Sequence, residues 1–311
     1  MKVLITSNSF GKFDPRPREF MEALGWEVTG NRYHHIMNEE EMMGEVPGVD
    51  AIILGSDTVS KKVLEKADHL KIISRYGVGI DNIDLEEAKK RNIEVTITRN
   101  CNTEAVADYA LGLILAVTRH ICNVDANLKK GVWKKETGLN LCHKTVGVIG
   151  LGSIGRQVVK RLKGFDCRIL GYDKFPDEKY CQENEIEFME PGEIFRKADI
   201  ITLHAPGNPD GTPLIGEKEL SSMNEHTILI NTARASLVDE EALIRALRER
   251  RIYGYGTDVF SGEPHINENF KKLDNVVLSP HTAAVSIEAV NRMTYCAVDN
   301  ILNYFGIEKG E

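Results

Sequence analysis

The stretch Thr145-Val-Gly-Val-Ile-Gly-Leu-Gly-Ser-Ile-Gly-Arg-Gln-Val-Val-Lys-Arg-Leu162 decides the fold of this chain. A short apolar run leads directly into the pattern Gly-x-Gly-x-x-Gly at Gly150, Gly152 and Gly155, and a helical pattern follows. Strand, glycine-rich turn and helix in this order are typical of a unit that binds a dinucleotide. Gly150 permits the tight turn, Gly152 lets the backbone approach a pyrophosphate, and Gly155 allows close packing of the helix on the strand.

An acidic residue at the end of the next predicted strand supports this interpretation. The run Arg168-Ile-Leu-Gly-Tyr172 is followed by Asp173, 18 positions after Gly155. A carboxylate at this place accepts hydrogen bonds from both hydroxyls of a ribose and repels a 2′-phosphate. The sequence therefore predicts NAD as the cofactor rather than NADP. The alternative is a purely structural turn with a solvated aspartate.

Outward from this unit, short apolar runs alternate with amphipathic segments. The predicted strands are Val3–Thr6, Ala51–Leu54, Ile72–Ser74, Val95–Ile97, Val146–Ile149, Arg168–Gly171, Ile200–Leu203, Thr227–Asn231 and Val276–Leu278. Because strand–helix alternation with few hairpin signals favours parallel sheets, we predict an α/β fold with two doubly wound parallel-sheet domains.

Two long helical patterns, Thr103–Arg119 and Ser286–Tyr304, suggest how the domains divide. The first precedes the glycine-rich unit, and the second closes the sequence. We predict one domain over 1–99 plus 285–311, which binds substrate, and a second over 100–284, which binds the cofactor.

Composition excludes several classes of function. The 311 residues include 47 acidic and 39 basic side chains, giving a net charge of −8. Nucleic-acid and anionic-membrane binding need a basic face, so neither is expected. Since apolar runs are too short for a membrane span or a signal peptide, we expect a cytoplasmic protein.

The cysteines are scattered along the chain, and no Cys-x-x-Cys pair or Cys/His cluster occurs. They are Cys101, Cys122, Cys142, Cys167, Cys181 and Cys296. This spacing favours reduced thiols over a disulfide framework, and we expect no metal site.

Three further polar residues follow predicted strands in the last third of the chain: Arg234, Glu263 and His281. Arginine can bind a carboxylate in a fork and polarise a neighbouring carbonyl. Histidine can exchange a proton, and a carboxylate bonded to it fixes its tautomer and favours its protonated form. Individually, each residue could instead be a helix cap, a solvated acid or a core histidine.

With these residues in place, the sequence resembles the D-isomer-specific 2-hydroxyacid dehydrogenase family, and within it the 3-phosphoglycerate dehydrogenase-like branch in its short form without a regulatory domain. The similarity covers nearly the whole chain. The motifs that carry it are Arg75-Tyr-Gly-Val-Gly-Ile-Asp-Asn-Ile-Asp84, Ala105-Val-Ala-Asp-Tyr-Ala-Leu-Gly-Leu113, Gly150–Gly155, Ile230-Asn-Thr-Ala-Arg-Ala-Ser-Leu-Val-Asp-Glu-Glu-Ala-Leu243, Asp258-Val-Phe with Glu263-Pro264, and Ser279-Pro-His-Thr-Ala283.

The resemblance implies a flavodoxin-like substrate domain and a Rossmann NAD domain with a cleft between them, and a homodimer held through the cofactor domain and the Thr103–Arg119 helix. It implies catalytic roles for Arg234, Glu263 and His281. The implied cofactor-binding residues are Gly150, Gly152, Ser153, Ile154, Gly155, Asp173, Ala205, Pro206, Thr232, Ala233, Asp258 and Ala283. The implied substrate-binding residues are Arg75, Val78, Gly79 and Arg234.

Some stretches depart from the family pattern. Thr98-Arg-Asn-Cys101-Asn-Thr-Glu104 stands where relatives more often have Thr-Pro-Gly-Ala-Asn, and Leu54-Gly-Ser-Asp57 lacks the arginine common in phosphoglycerate members. Lys12, Arg16 and Arg18 could supply positive charge for a substrate phosphate, or they could simply form a solvated helix start.

We therefore predict an NAD-dependent oxidoreductase that interconverts a small D-2-hydroxy acid and its 2-oxo acid, with D-3-phosphoglycerate and 3-phosphohydroxypyruvate as the first pair to consider. Alternatives are a hydroxypyruvate or glyoxylate reductase of unphosphorylated acids, and an NAD-sensing corepressor-like binding protein. A formate-type dehydrogenase is disfavoured because it pairs its histidine with a glutamine, whereas Glu263 is a carboxylate.

Overall fold

A computed structural model describes residues 1–208 and 210–308 of the chain. It divides into two units, which are described separately: Met1–Asn102 with the residues from Ala284 on, and Thr103–Ala283. The first boundary lies three residues after the predicted one, and the second lies one residue before it. The last residues of the predicted substrate domain, 309–311, lie outside the described part. The functions predicted for the two domains stay predictions.

Strands and helices alternate along the first unit. They are β1 Lys2–Ile5, α1 Arg16–Ala23, β2 Glu27–Gly30, α2 Glu39–Glu45, β3 Ala51–Leu54, α3 Lys61–Lys66, β4 Ile72–Arg75, α4 Leu85–Lys90 and β5 Glu94–Ile97. The sheet order is β2-β1-β3-β4-β5, and all neighbouring strands are parallel. This is the flavodoxin-like order.

Local sequence explains where these helices begin. Asn38, Ser60 and Asp84 directly precede α2, α3 and α4, and each side chain accepts a hydrogen bond from a backbone N–H of the first helical turn. Such caps satisfy N–H groups that the helix itself leaves unpaired.

The second unit contains the remaining strands and most of the other helices. They are α5 Thr103–Thr118, α6 Ile121–Lys129, β6 Thr145–Ile149, α7 Ser153–Leu162, β7 Arg168–Tyr172, α8 Glu178–Glu183, β8 Glu187–Phe188, α9 Pro191–Lys197, β9 Ile200–Leu203, α10 Glu217–Ser222, β10 Ile228–Asn231, α11 Glu240–Arg248, β11 Gly254–Thr257 and β12 Val276–Leu278. The last helix, α12 Ile287–Tyr304, belongs to the first unit.

The second sheet has the order β12-β11-β10-β9-β6-β7-β8, with every pair parallel. The order reverses between β6 and β9, which is the switch point of a Rossmann fold. Two doubly wound parallel sheets confirm the predicted fold class.

Both faces of this sheet are covered. Within β10, Ile228 and Ile230 join one apolar core cluster while Leu229, between them, joins another. Alternate side chains of a strand point to opposite faces, so the strand is buried on both sides. The carboxyl ends of β6, β9, β10, β11 and β12 therefore meet at one edge of the sheet, called here the carboxyl edge.

Among the described residues, no single helix is long and apolar enough to cross a membrane. The helices α5 and α6 reach the required length and composition only as a pair bent by 65°.

Candidate active site

The glycine-rich turn follows β6 at the carboxyl edge. Gly150 has a φ of +97°, and a Cβ there would lie 2.6 Å from the backbone carbonyl of His204. A Cβ at Gly155 would overlap the carbonyl oxygen of Gly150. Only glycine fits these two positions, because the turn and the first turn of α7 pack backbone against backbone.

Asp173 holds this turn in place from the end of β7. One carboxylate oxygen accepts a hydrogen bond from Leu151 N at 2.7 Å, and the other accepts one from Phe175 N at 2.9 Å. Each carboxylate oxygen can accept more than one bond, so the fixed carboxylate can still receive ribose hydroxyls.

The edge fits a dinucleotide. Gly152 caps α7 without a side chain, and a Cβ there would meet nothing within 4 Å, so the helix end is open to a phosphate. Thr232 Oγ1, after β10, is buried without a hydrogen-bond partner among the described residues, and a bound cofactor would supply one. The other predicted cofactor residues lie in the first turn of α7 or follow neighbouring strands at this edge: Ser153, Ile154, Ala205, Pro206, Ala233, Asp258 and Ala283.

His281 and Glu263 form a direct pair in the second unit. Nδ1 of His281 lies 2.7 Å from one oxygen of Glu263, and the other oxygen accepts a hydrogen bond from Phe260 N at 2.9 Å. Since an ionised carboxylate only accepts hydrogen bonds, Nδ1 must carry a proton. Nε2 is then the nitrogen that remains available for proton exchange, and the side chain is 45% exposed.

The electrostatics of Glu263 favour its charged form. Burial raises the pKa of this carboxyl, but the hydrogen bond and charge of His281, the Phe260 N–H and the charge of Arg234 together bring its pKa below the ordinary value. Glu263 is therefore ionised throughout the neutral pH range. The charge of Arg234 reaches Glu263, so the structure brings all three predicted catalytic residues into one electrostatic neighbourhood.

Arg234 stands on the loop after β10. Its main-chain carbonyl accepts a hydrogen bond from the side chain of Asn231 at 2.9 Å, and its guanidinium donates to Ala233 O at 2.7 Å. A 3₁₀ turn, Ala235–Leu237, follows at once. The guanidinium is thus presented from a backbone that Asn231 fixes.

Asp258 holds the loop that carries His281. This carboxylate is 1% exposed, and it accepts hydrogen bonds from Ser279 Oγ at 2.6 Å, Thr282 N at 2.9 Å and Ala283 N at 2.7 Å. His281 itself has a φ of +50°, in the left-handed region that a histidine seldom adopts. The three bonds help to hold that strained conformation.

The predicted substrate residues Arg75, Val78 and Gly79 lie in the first unit, at and after the end of β4. The guanidinium of Arg75 donates to three main-chain carbonyls: Leu54 O at 3.3 Å, Tyr76 O at 2.5 Å and Gly79 O at 2.9 Å. Arg75 therefore braces the backbone around Val78 and Gly79.

Sequence reasoning missed His204, which directly follows β9. Its Nε2 lies 2.8 Å from Thr202 Oγ1, and burial lowers its pKa to about 3. The imidazole of His204 is therefore uncharged near pH 7 and is not a candidate for an imidazolium proton donor. Its position after an apolar strand was a usable signal, since Arg234 and His281 were identified by the apolar runs that precede them.

Within the described residues, no group of three or more His, Cys, Asp or Glu side chains could hold a metal ion. All six cysteines are free thiols.

Comparisons with known proteins agree with this geometry. The sequence model of the D-isomer specific 2-hydroxyacid dehydrogenase, NAD binding domain, matches residues 111–283. The chain belongs to the D-isomer-specific 2-hydroxyacid dehydrogenase family. Its cofactor is NAD, and it is an NAD-dependent oxidoreductase of 2-hydroxy acids.

Relatives of this chain within the family are named for different reactions. A glyoxylate reductase of Thermococcus litoralis is 42% identical over 87% of this chain and 84% of its own. A D-3-phosphoglycerate dehydrogenase of Methanocaldococcus jannaschii is 40% identical over 81% of this chain, which spans 49% of that protein. The crystal structure of the TT0316 protein from Thermus thermophilus has a TM-score of 0.89 and 34% identity, covering 99% of this chain and 98% of its own.

We predict that Glu263→Gln moves the pH profile of 2-oxo acid reduction by this dehydrogenase. Reduction consumes a proton, and the Glu263 carboxylate stabilises the protonated imidazole that supplies it. Without the carboxylate beside Nδ1, the rate should begin to fall at a lower pH than in the wild type. The measurement is kcat/KM for a 2-oxo acid between pH 5 and 9.

Glu268→Gln is the matched control, because Glu268 is an exposed acid that pairs only with Lys271 among the contacts described. Its profile should overlay the wild-type profile. A Glu263→Gln profile that falls in amplitude without moving along the pH axis would contradict the role given to Glu263.

Proposed function

We propose that this dehydrogenase reduces a small unphosphorylated 2-oxo acid, such as glyoxylate or hydroxypyruvate, to the D-2-hydroxy acid. The observation that carries the reaction type is the Glu263–His281 pair at 2.7 Å, with Arg234 close enough to influence Glu263. This combination provides a proton donor and a carboxylate-binding cation within one site.

In this proposal Arg234 binds the substrate carboxylate with its planar fork and polarises the adjacent carbonyl. His281 donates a proton from Nε2 to the carbonyl oxygen, and Glu263 holds the imidazole in the required tautomer. Bound NADH supplies the hydride. The backbone N–H groups of Val78 and Gly79 stay predicted partners of the substrate carboxylate.

Three of the arginines near the first loop and β4 are engaged elsewhere, whereas Lys12 lies over the ring of Phe13 at 5.5 Å. Arg75 donates to three backbone carbonyls. Arg16 pairs with Asp14 at 2.5 Å, and Arg18 pairs with Glu22 at 2.9 Å. Releasing Arg75 to bind a phosphate would cost its hydrogen bonds, which supports an unphosphorylated acid over 3-phosphohydroxypyruvate. The pairs of Arg16 and Arg18 are exposed to solvent and add little to this argument.

A pocket built to bind phosphate would also be expected to present an arginine after β3, as phosphoglycerate members commonly do. Here that loop carries Asp57, whose carboxylate is buried and accepts a hydrogen bond from Met37 N at 2.7 Å. The negative charge at this end of the first sheet disfavours a substrate phosphate.

We also propose a homodimer formed through the second unit. Four large apolar side chains are exposed on α6 and on the segment that follows it: Ile121, Leu128, Val132 and Trp133. Ile121 and Leu128 are seven residues apart and share one face of α6, while Trp133 is 84% exposed. Such a cluster is typical of a protein–protein interface, and a second copy of this chain is the partner that the family resemblance predicts. The cytoplasmic location stays a prediction from composition.

Substrate preference tests the proposed function. Purified protein should oxidise NADH with glyoxylate or hydroxypyruvate at a kcat/KM at least about tenfold above that for 3-phosphohydroxypyruvate, because the loop after β3 carries the buried carboxylate of Asp57 where phosphoglycerate members commonly have an arginine. A preference for the phosphorylated acid would reverse the substrate assignment. Tight NADH binding without turnover of any 2-oxo acid would favour a corepressor-like NAD sensor.

The dimer is tested separately. Trp133→Glu places a charge in the exposed cluster and should convert the protein to a monomer in light scattering coupled to size exclusion. Ile287→Asp, at a residue of α12 that is 55% exposed, is the control and should leave the mass unchanged. A Trp133→Glu protein with the wild-type mass would place any interface elsewhere.

A further inference from the structure

Beneath Arg234 and His281 lies a buried set of polar side chains, called here the strand-end network: Asn231, Thr257, Asp258 and Ser279. They stand at the ends of β10, β11 and β12, and none is more than 8% exposed. Burying a polar group costs free energy unless the group is hydrogen-bonded, so each of these side chains needs partners inside the protein.

Asn231 uses both ends of its amide on the loop that carries Arg234. Its Oδ1 accepts a hydrogen bond from Ala233 N at 3.0 Å, and its Nδ2 donates to Arg234 O at 2.9 Å. The two groups belong to consecutive residues just beyond the sheet. One side chain therefore fixes the backbone on either side of the Ala233–Arg234 link.

The carbonyl of Asn231 connects this loop to the next strand. It accepts a hydrogen bond from Asp258 N at 3.0 Å, and Thr257 Oγ1 lies 3.1 Å from it. Thr257 is also the parallel neighbour of Asn231 in the sheet. The position of Asn231 is thus coupled to the residue whose carboxylate holds the His281 loop.

The network closes on the far side. The carboxylate of Asp258 accepts from Ser279 Oγ, Thr282 N and Ala283 N, on both sides of His281. A continuous chain of hydrogen bonds therefore runs from the backbone of Arg234 to residues on both sides of His281. Groups that act on one small substrate must keep their separation to within a fraction of an ångström.

We propose that Asn231 is a positioning residue for substrate binding, which acts through Arg234 and keeps its guanidinium in register with His281. The inference rests on the proposed function, because it takes Arg234 as the group that binds the 2-oxo acid. Asn231 itself has no part in proton transfer.

The test compares Asn231→Ala with a matched buried asparagine. Asn275 precedes β12, at the opposite edge of the same sheet, is 7% exposed, and donates its amide to Leu247 O and Tyr253 O. Asn231→Ala should raise KM for glyoxylate or hydroxypyruvate by tenfold or more and leave the Kd of NADH within twofold. Asn275→Ala should lower the unfolding temperature but leave both constants within twofold of wild type. Equal kinetic effects of the two variants would overturn the proposal.

A double variant separates positioning from general weakening. If Asn231 acts through Arg234, Asn231→Ala should reduce kcat/KM by less than threefold in an Arg234→Lys background, although it does so by tenfold or more in wild type. If the loss of kcat/KM in the double variant equals the product of the two single losses, the proposal is overturned. An Arg234→Lys protein with wild-type KM for the 2-oxo acid would instead refute the proposed function.

A second variant covers the case in which Asn231→Ala does not fold. Thr257→Val keeps the side-chain shape and removes a hydroxyl that lies 3.1 Å from Asn231 O and also bonds Val259 N and Val259 O. It should raise KM for the 2-oxo acid severalfold, again with little further effect in the Arg234→Lys background. An unchanged KM in Thr257→Val would contradict a connection from Asn231 to β11 through this hydroxyl.

Discussion

The carboxylate of Asp258 is a buried charge at the carboxyl end of β11, and three groups of the His281 loop donate hydrogen bonds to it. A charge in this position is tolerable only while those donors remain, so the loop and the strand end stabilise each other. The left-handed backbone of His281 and its contact with Glu263 both depend on this arrangement. The position of the Glu263–His281 pair is therefore coupled to the hydrogen bonds of one buried carboxylate.

Much of the fold was predictable because the central strands are uniformly apolar. Ala51–Leu54 and Ile200–Leu203 were predicted at their observed bounds, since every residue in them is buried. The edge strands Glu27–Gly30 and Glu187–Phe188 were not, because exposed positions do not need apolar residues. Gly254–Thr257 was missed for another reason, because two of its four residues are glycines. A Cβ at Gly254 would lie 2.8 Å from Val117 of α5 and 2.9 Å from the carbonyl oxygen of Asn275, so no larger residue fits there.

The residues of the candidate site could be predicted where a chemically suitable side chain follows a recognisable strand. Glycines after β6 and polar residues after β10 and β12 are local patterns, so Arg234 and His281 could be found without a structure. The network that holds them could not. Asn231 and Thr257 meet only through the parallel register of β10 and β11, a contact between residues 26 positions apart that no local pattern records.

The proposed mechanism requires that Glu263 fixes the proton of neutral His281 on Nδ1 and leaves Nε2 for proton exchange. Nitrogen-15 NMR of protein labelled at histidine distinguishes the two tautomers directly, and a His281→Asn variant assigns the signal among the nine histidines. We expect that in the neutral imidazole of His281 Nδ1 carries the proton and Nε2 is bare. A neutral imidazole with its proton on Nε2 would contradict this tautomer assignment, because the nitrogen facing Glu263 would then carry no proton to donate.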